Sequence, residues 1–427
     1  MKYKAIQVFE HEVLPVDDER FFPAHFRQLV LYNERHGNQF FSVGDQKIFF
    51  KNYVGVIQVG SLVIEILPKA DNTEGDVNKW HMALLNMLRE CRYLKLKSLT
   101  NAHLRLRSAS LIDLYFDSFL HEVESLIHKG LTKRYRFREH NLPKLKGKIL
   151  FSRQIAKNIV HKERFYTSHQ VYDRNNIFNQ IIKKALTVLR QIATNHHLHS
   201  RASRQLLDFE EISDIHINAK VFQQLSFNRK TEHYRYAIKL AKLIILQYAP
   251  DLKGGHEDIL AILFDMNRLF EQFIYLQLKK AEEQYRPLDL TVSAQESRVF
   301  WQGRTIRPDI LLQYKVNNIP KKLIIDTKWK VLNSYQPSDE DLRQMYAYNL
   351  HFGVERSVLL YPKVDLESTE FLQYEPSVSF SFDHSCRLYF VNLFDNDGSM
   401  LPGIGGKILC HLELPLAFPP SSGAKRQ

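Results

Sequence analysis

Two aspartates and a lysine, Asp309, Asp326 and Lys328, stand at the ends of two short apolar runs, Ile310 to Tyr314 and Leu323 to Ile325. Turn residues Asn317, Asn318 and Pro320 lie between the runs, so they read as two paired strands in a mixed α/β core. Charge is tolerated beside such a core when it is paired or binds a metal. Residues two apart in a strand share a face, so Asp326 and Lys328 should point together with Thr327 turned away, and pairing of the strands can bring Asp309 beside them. Two carboxylates next to a lysine suit a hard divalent cation such as Mg²⁺, with Mn²⁺ as an alternative, which takes oxygen ligands and keeps several waters. Asp309 and Asp326 would ligate the metal, and Lys328 would position or deprotonate a water for attack on a phosphodiester. The same triplet would also serve in a salt-bridged surface hairpin, because structural ion pairs cluster charge too.

Neighbouring elements shift the balance between these readings. Ile259 to Leu278 carries apolar residues at 259, 262, 263, 266, 269, 270, 273 and 276, the spacing of a helix, with Glu271 beside the stripe. Downstream, Ser338 and Asp341 form a capping-box pattern that opens a helix ending near Gly353. Gln344 and Tyr348 lie four apart on one face of it, within reach of a scissile phosphate, although a plain surface helix would place them the same way.

Pro308-Asp309 followed by Asp326-Thr327-Lys328 resembles the PD-(D/E)xK nuclease superfamily. That resemblance implies that Glu271, on the helix before the strands, completes the metal shell, and that the backbone carbonyl of Thr327 also ligates. A more specific resemblance follows from Phe264-Asp-Met-Asn-Arg-Leu-Phe-Glu-Gln-Phe, Arg307-Pro-Asp-Ile, Ile325-Asp-Thr-Lys-Trp-Lys and Gln344-Met-Tyr-Ala-Tyr in that order. Together they are similar to the McrC family, the nuclease subunits of McrBC modified-cytosine restriction systems. The likeness runs over about 257 to 363 and more loosely upstream, through Ile64 to Lys69, Leu145 to Ile149 and Asn176 to Lys183. It implies a DNA substrate and a GTP-hydrolysing AAA+ partner ring, McrB-like, that the N-terminal end engages and stimulates. Two rival functions are a non-catalytic DNA clamp that activates the partner, and a stand-alone repair nuclease.

The 427 residues are 44% hydrophobic, enough for more than one packed core. An N-terminal β-rich domain is expected over 1–75, a mainly helical middle with DNA contacts over 76–254, the nuclease domain over 255–418, and a mobile tail over 419–427. Val56 to Leu67 is the clearest hairpin, turning at Gly60-Ser61, and Ala24 to Asn33 reads as a helix. In the middle, helices are expected over Val77 to Cys91, Ile112 to His128 with Gly130 as its cap, Asn176 to Ala193 with Asp173 as its cap, and Glu232 to Gln247. Ala70 to Asp76 reads as a linker, and Gly254-Gly255 marks the boundary before the nuclease domain. Lys133 to Arg138 and Lys144 to Lys148 alternate cations with aromatic or apolar residues, suiting either a DNA backbone or an ordinary exposed strand. Ser357 to Tyr361 and Arg387 to Leu393 read as further strands of the nuclease sheet.

The formal charge is +12, as expected for a partner of phosphate backbones. No run reaches the roughly 18 apolar residues of a membrane span, the start lacks a signal peptide's apolar segment, and a cytoplasmic protein is expected. Cys91, Cys386 and Cys410 have no C-x-x-C spacing, so neither a disulfide framework nor a zinc site is indicated. His196, His197 and His199 read as solvated histidines, and Gly398 to Gly403 lacks the Lys-Ser/Thr of a nucleotide loop.

Overall fold

A computed structural model describes residues 5–16, 20–69, 77–95, 110–249, 258–284, 289–332, 334–364, 366–375, 383–395, 398–412 and 414. The expected linker over 70–76, the Gly254-Gly255 boundary and the tail over 419–427 lie outside them.

The first sheet is built largely from aliphatic and β-branched runs that read as buried strands. Its order is Ile6–Phe9, Leu62–Leu67, Tyr53–Val59, Ile259–Asp265, Tyr248–Ala249, with the first pair parallel and the rest antiparallel. The hairpin turns at Gly60 as expected. Helix Pro23–Arg35 packs on this sheet, and a small sheet of Val13–Pro15, Lys47–Phe50 and Phe41–Gly44 shares their core.

Ile259–Asp265 is the main departure from expectation, because it is a strand of this sheet and not the first turns of the Glu271 helix. An unbroken apolar run fits helical and strand templates alike, and pairing with Tyr53–Val59 decides the matter. The helix begins only at Met266, where the Asp265 carboxylate accepts from the backbone N–H of Asn267 (3.0 Å) and Arg268 (3.3 Å).

Helices Val77–Glu90, Leu111–Lys129, Ile177–Ile192 and Arg235–Leu246 join one continuous hydrophobic core with the Met266–Gln284 helix. The cap of Ile177–Ile192 is Asn176 and not Asp173: the Asn176 side chain accepts from the N–H of Phe178 and Asn179, whereas Asp173 pairs with the Arg136 guanidinium. Both are capping types a few residues apart, and the competing ion pair selects between them. Strands Arg134–Leu142, Lys148–Ile149 and Phe165–Asp173 form a separate three-stranded sheet.

The C-terminal sheet has the order Thr291–Ala294, Ile310–Val316, Ile319–Thr327, Arg356–Pro362, Ser385–Val391, Leu372–Gln373, and it mixes antiparallel and parallel pairs. Alternation along its strands splits the apolar residues between two layers. Ile310, Leu312, Leu323 and Ile325 face Phe270 and Phe273 of the Met266–Gln284 helix, while Leu311 and Ile324 join Met345, Tyr348 and Phe352 of helix Asp339–Phe352. The two strands of the Asp309–Asp326 pair turn at Asn317 and Asn318, both at positive φ, the geometry of the tight hairpin turns that match strand twist.

Gly55 sits at φ +136°, and a Cβ built there would lie 2.1 Å from the carbonyl oxygen of Ile262. The Gly55→Ala variant is therefore expected to lose about 3 kcal/mol or more of stability, because the strand leading to the Glu271 helix must move away. Chemical denaturation would measure this, and a loss below about 1 kcal/mol would mean that the close approach carries no weight.

Candidate active site

The hairpin Ile310–Val316/Ile319–Thr327 pairs Ile310 with Ile325, so Asp309, one residue before the first strand, comes level with the end of the second. Its Oδ2 accepts two hydrogen bonds from Thr327, one from the backbone N–H and one from the hydroxyl, both 2.8 Å. Thr327 thus does not turn away, as strict alternation would have it. The strand is ending there, and its hydroxyl meets the neighbouring carboxylate. Among the described residues, Asp309 Oδ1 has no such partner.

Asp326 is 2% exposed, and its Oδ2 lies 2.8 Å from Lys328 Nζ. The pair shares a side, as expected, yet Oδ2 is buried without a well-aligned hydrogen bond. Burial, then the nearby Asp309 charge, pushes the Asp326 carboxyl up to about 7, against the pull of Lys328. Burial likewise raises Asp309, opposed by the Thr327 hydrogen bonds. Glu271 is half-buried on its helix; burial and then the charge of Asp309 raise its pKa too, which places it in the same electrostatic neighbourhood. Asp309 thus bears on both of the other carboxyls, and a cation at Asp309 and Asp326 would relieve the charge there.

Lys328 Nζ has three acceptors: Asp326 at 2.8 Å, Gln344 Oε1 at 3.1 Å and Asp341 Oδ1 at 3.3 Å. Burial alone would depress its pKa, but Asp326 and then Asp341 raise it above the ordinary lysine range. The ammonium is therefore held charged, suited to orienting a water or a phosphoryl oxygen and unsuited to removing a proton. Gln344 continues the chain of contacts, its Nε2 donating to Tyr348 Oη at 2.7 Å, and Tyr348 donates to the Arg307 carbonyl at 3.0 Å. Helix Asp339–Phe352 is thereby fastened to both Lys328 and the turn that presents Asp309.

Sequence reasoning missed several contributors. Asp341 reads as a cap residue, and its N–H does donate to Ser338 Oγ at 3.2 Å, but its buried carboxylate holds Lys328 and Lys330 together. Although burial opposes its ionisation, Lys330, Ser338 and Lys328 keep its pKa below the ordinary value. Gln295 donates from Nε2 to Glu271 Oε1 at 2.6 Å and from its backbone N–H to the Asp309 carbonyl at 3.0 Å, tying the two acids together. Trp329 donates from Nε1 to Glu10 Oε1 at 2.6 Å and packs edge-on against Phe270, the residue before Glu271. Glu10 follows the first strand of the N-terminal sheet, also accepts from the Lys69 N–H, and is 3% exposed.

Among the described residues, no three His, Cys, Asp or Glu side chains converge closely enough to cage a metal ion. Mg²⁺ does not need a cage: one or two carboxylates and several waters are its usual shell, and the buried Asp326 Oδ2 and the second oxygen of Asp309 fit that demand. His196, His197 and His199 lie exposed on helix His196–Leu206. Gly403 caps helix Ile404–His411.

The mixed α/β fold is shared with a solved McrBC assembly, and a family model places the chain. The family model described as McrBC 5-methylcytosine restriction system component matches residues 48–362, and the chain belongs to that family. Among characterised proteins it is 21% identical over 258 residues to the type IV methyl-directed restriction enzyme EcoKMcrBC of Escherichia coli (strain K12), covering 57% of this chain and 74% of that protein. Its fold matches a chain from the tetradecameric assembly of Thermococcus gammatolerans McrB AAA+ hexamers with bound McrC, with a TM-score of 0.67 and 21% identity over 96% of this chain and 100% of that one.

Burial raises Glu10 from its ordinary value of 4.5 to about 7, although the Lys69 and Trp329 hydrogen bonds pull the other way. The fold thus favours the protonated acid, so the contribution of Glu10 to stability is greatest below about pH 4.5 and falls by up to about 3 kcal/mol as pH rises through about 7. Glu10→Gln keeps an acceptor oxygen for both partners and is expected to lose that slope and to be more stable than wild type at pH 8. Denaturation curves between pH 5 and 8 test this; an unchanged slope in the variant would remove Glu10 as its source.

Proposed function

We propose that this protein is the metal-dependent DNA endonuclease subunit of a modified-cytosine restriction system, acting with a GTP-hydrolysing AAA+ partner. The observation that carries the reading is the strand end itself, where Asp309 is fixed on Thr327 and Asp326 lies buried against a charged Lys328. A surface hairpin gains little from burying such a pair, since the desolvation of two charges rivals their attraction.

In this reading Asp309 and Asp326 hold Mg²⁺, or Mn²⁺ in its place, with the Thr327 carbonyl as a further ligand and Glu271 supporting the shell. The cation supplies an activated water and neutralises charge developing on the phosphoryl group. Lys328 donates a proton in a hydrogen bond to that water or to a phosphoryl oxygen, oriented by Asp326, Asp341 and Gln344. Asp326 and Asp341 beside it favour the charged ammonium. Gln344 and Tyr348 act one step back, fixing Lys328 and the Arg307-Pro308-Asp309 turn.

The relatives support this division of labour. A protein with the same fold is bound to McrB AAA+ hexamers, and this chain has the fold of the McrC component. The N-terminal sheet, which takes in Ile259–Asp265 and so moves the boundary expected at 255, is the region we assign to the partner, and the chain from Met266 to 418 the region we assign to cleavage. No helix among the described residues is long and apolar enough to cross a membrane, and the cytoplasm is the compartment we propose.

Cleavage of a cytosine-methylated plasmid with Mg²⁺, GTP and the partner tests the proposal. Asp326→Ala and Lys328→Ala are each expected to lower the cutting rate at least about 100-fold while still stimulating the partner's GTP hydrolysis. If Asp326→Ala cuts as fast as wild type, the acidic strand end is not the nuclease centre. If wild type never cuts but the partner's hydrolysis still rises, the chain is an activating DNA clamp.

A further inference from the structure

The three-stranded sheet of Arg134–Leu142, Lys148–Ile149 and Phe165–Asp173 takes no part in the site described above, and one of its faces is chemically unusual. Tyr135 pairs in register with Tyr172, and Phe137 follows two residues on, so the three rings share a face. They are 70%, 52% and 72% exposed for Tyr135, Tyr172 and Phe137, with the two tyrosine rings 4.7 Å apart. Aromatic rings are among the side chains a sheet face gains most by burying, so three left open on one face call for an occupant.

At the Tyr172 end this face runs into an open recess of about 530 Å³. Four cations line it: Lys129, from the end of helix Leu111–Lys129, Lys133, which precedes the sheet, and Arg174 and Lys230. No carboxylate does. The neighbouring acids are already engaged, Asp173 with Arg136 and Glu232 with Arg235, and among the described residues none of the four lining cations has an ion-pair partner. His233, also at the recess, is held below the ordinary histidine range by burial and then by Lys129, as expected where positive potential accumulates. A concave wall of one sign focuses its field on a counter-ion.

Unpaired cations beside a platform of open rings match one ligand class better than another. In a duplex the faces of the bases are stacked on each other and the rings would have nothing to receive. In a single strand the phosphates can lie along the cations while unstacked bases lie on the rings. The geometry points to a binding site for single-stranded DNA in which Lys129, Lys133, Arg174 and Lys230 hold the phosphates and Tyr135, Phe137 and Tyr172 stack the bases. This extends the DNA-processing reading above by placing a strand-holding surface on a sheet that carries none of the cleavage residues. An acidic protein surface is the competing occupant.

Fluorescence anisotropy of the full chain in EDTA separates these, using a labelled dT oligonucleotide of about 12 nucleotides and a duplex of the same length. Without divalent metal no cutting is read, so failure of the nuclease reading leaves this test intact. Wild type is expected to bind the single strand at least about tenfold tighter than the duplex. The double variant Lys133→Glu/Arg174→Glu should weaken single-strand binding at least about tenfold and reduce the slope of log affinity against log salt by about 1.4, roughly 0.7 for each lost phosphate contact. Tyr135→Ala/Phe137→Ala/Tyr172→Ala should weaken it about tenfold and leave duplex binding unchanged. Should that triple variant unfold by circular dichroism, Tyr172→Leu, which keeps apolar bulk without the ring, gives the same comparison. Unchanged single-strand affinity in the charge and ring variants overturns the site. So does loss of binding to the purified AAA+ partner with oligonucleotide binding retained, which would assign the face to an acidic protein.

Discussion

A half-buried ammonium is stable only when paired, and the pairing of Lys328 organises the site. Its three acceptors come from two elements, Asp326 from its own strand and Asp341 and Gln344 from helix Asp339–Phe352. Satisfying one charge therefore fixes where that helix sits on the sheet. Through Gln344 and Tyr348 the same contacts reach the Arg307 carbonyl and hold the turn before Asp309. The carboxylates, left close together and poorly solvated, resist ionisation, and that tension is what a divalent cation would relieve.

Much of this was legible locally. The apolar runs on either side of Asn317-Asn318 announce a hairpin, and period-two alternation puts Asp326 and Lys328 on one side, as found. Ser338 and Gly353 bracket their helix because capping is a short-range property. What stayed hidden depends on partners distant in sequence. Ile259–Asp265 reads equally well as helix until Tyr53–Val59 lies beside it. Asp341 has a local role that fully explains its presence, which masks its second role against Lys328. Glu10 meets Trp329 across 319 positions, and neither residue type signals the other.

Thr327 shows where a simple rule stops. Alternation holds within a strand and lapses at its last residue, where the Thr327 hydroxyl meets Asp309. The functional groups gather where regular structure ends, because there side chains are released from the pleat while the sheet still holds their backbone.

The strand Ile259–Asp265 links the two sheets. It lies inside the N-terminal sheet and passes at Asp265 directly into the helix that carries Glu271, with no loop between. Glu271 is only six residues beyond the sheet, about 9 Å along a helix axis. That short helical connection links the first sheet to the acidic strand end, and the Glu10–Trp329 hydrogen bond is a second link between the same two parts. The two sheets are therefore tied at two places, one through the backbone and one through a buried side-chain hydrogen bond.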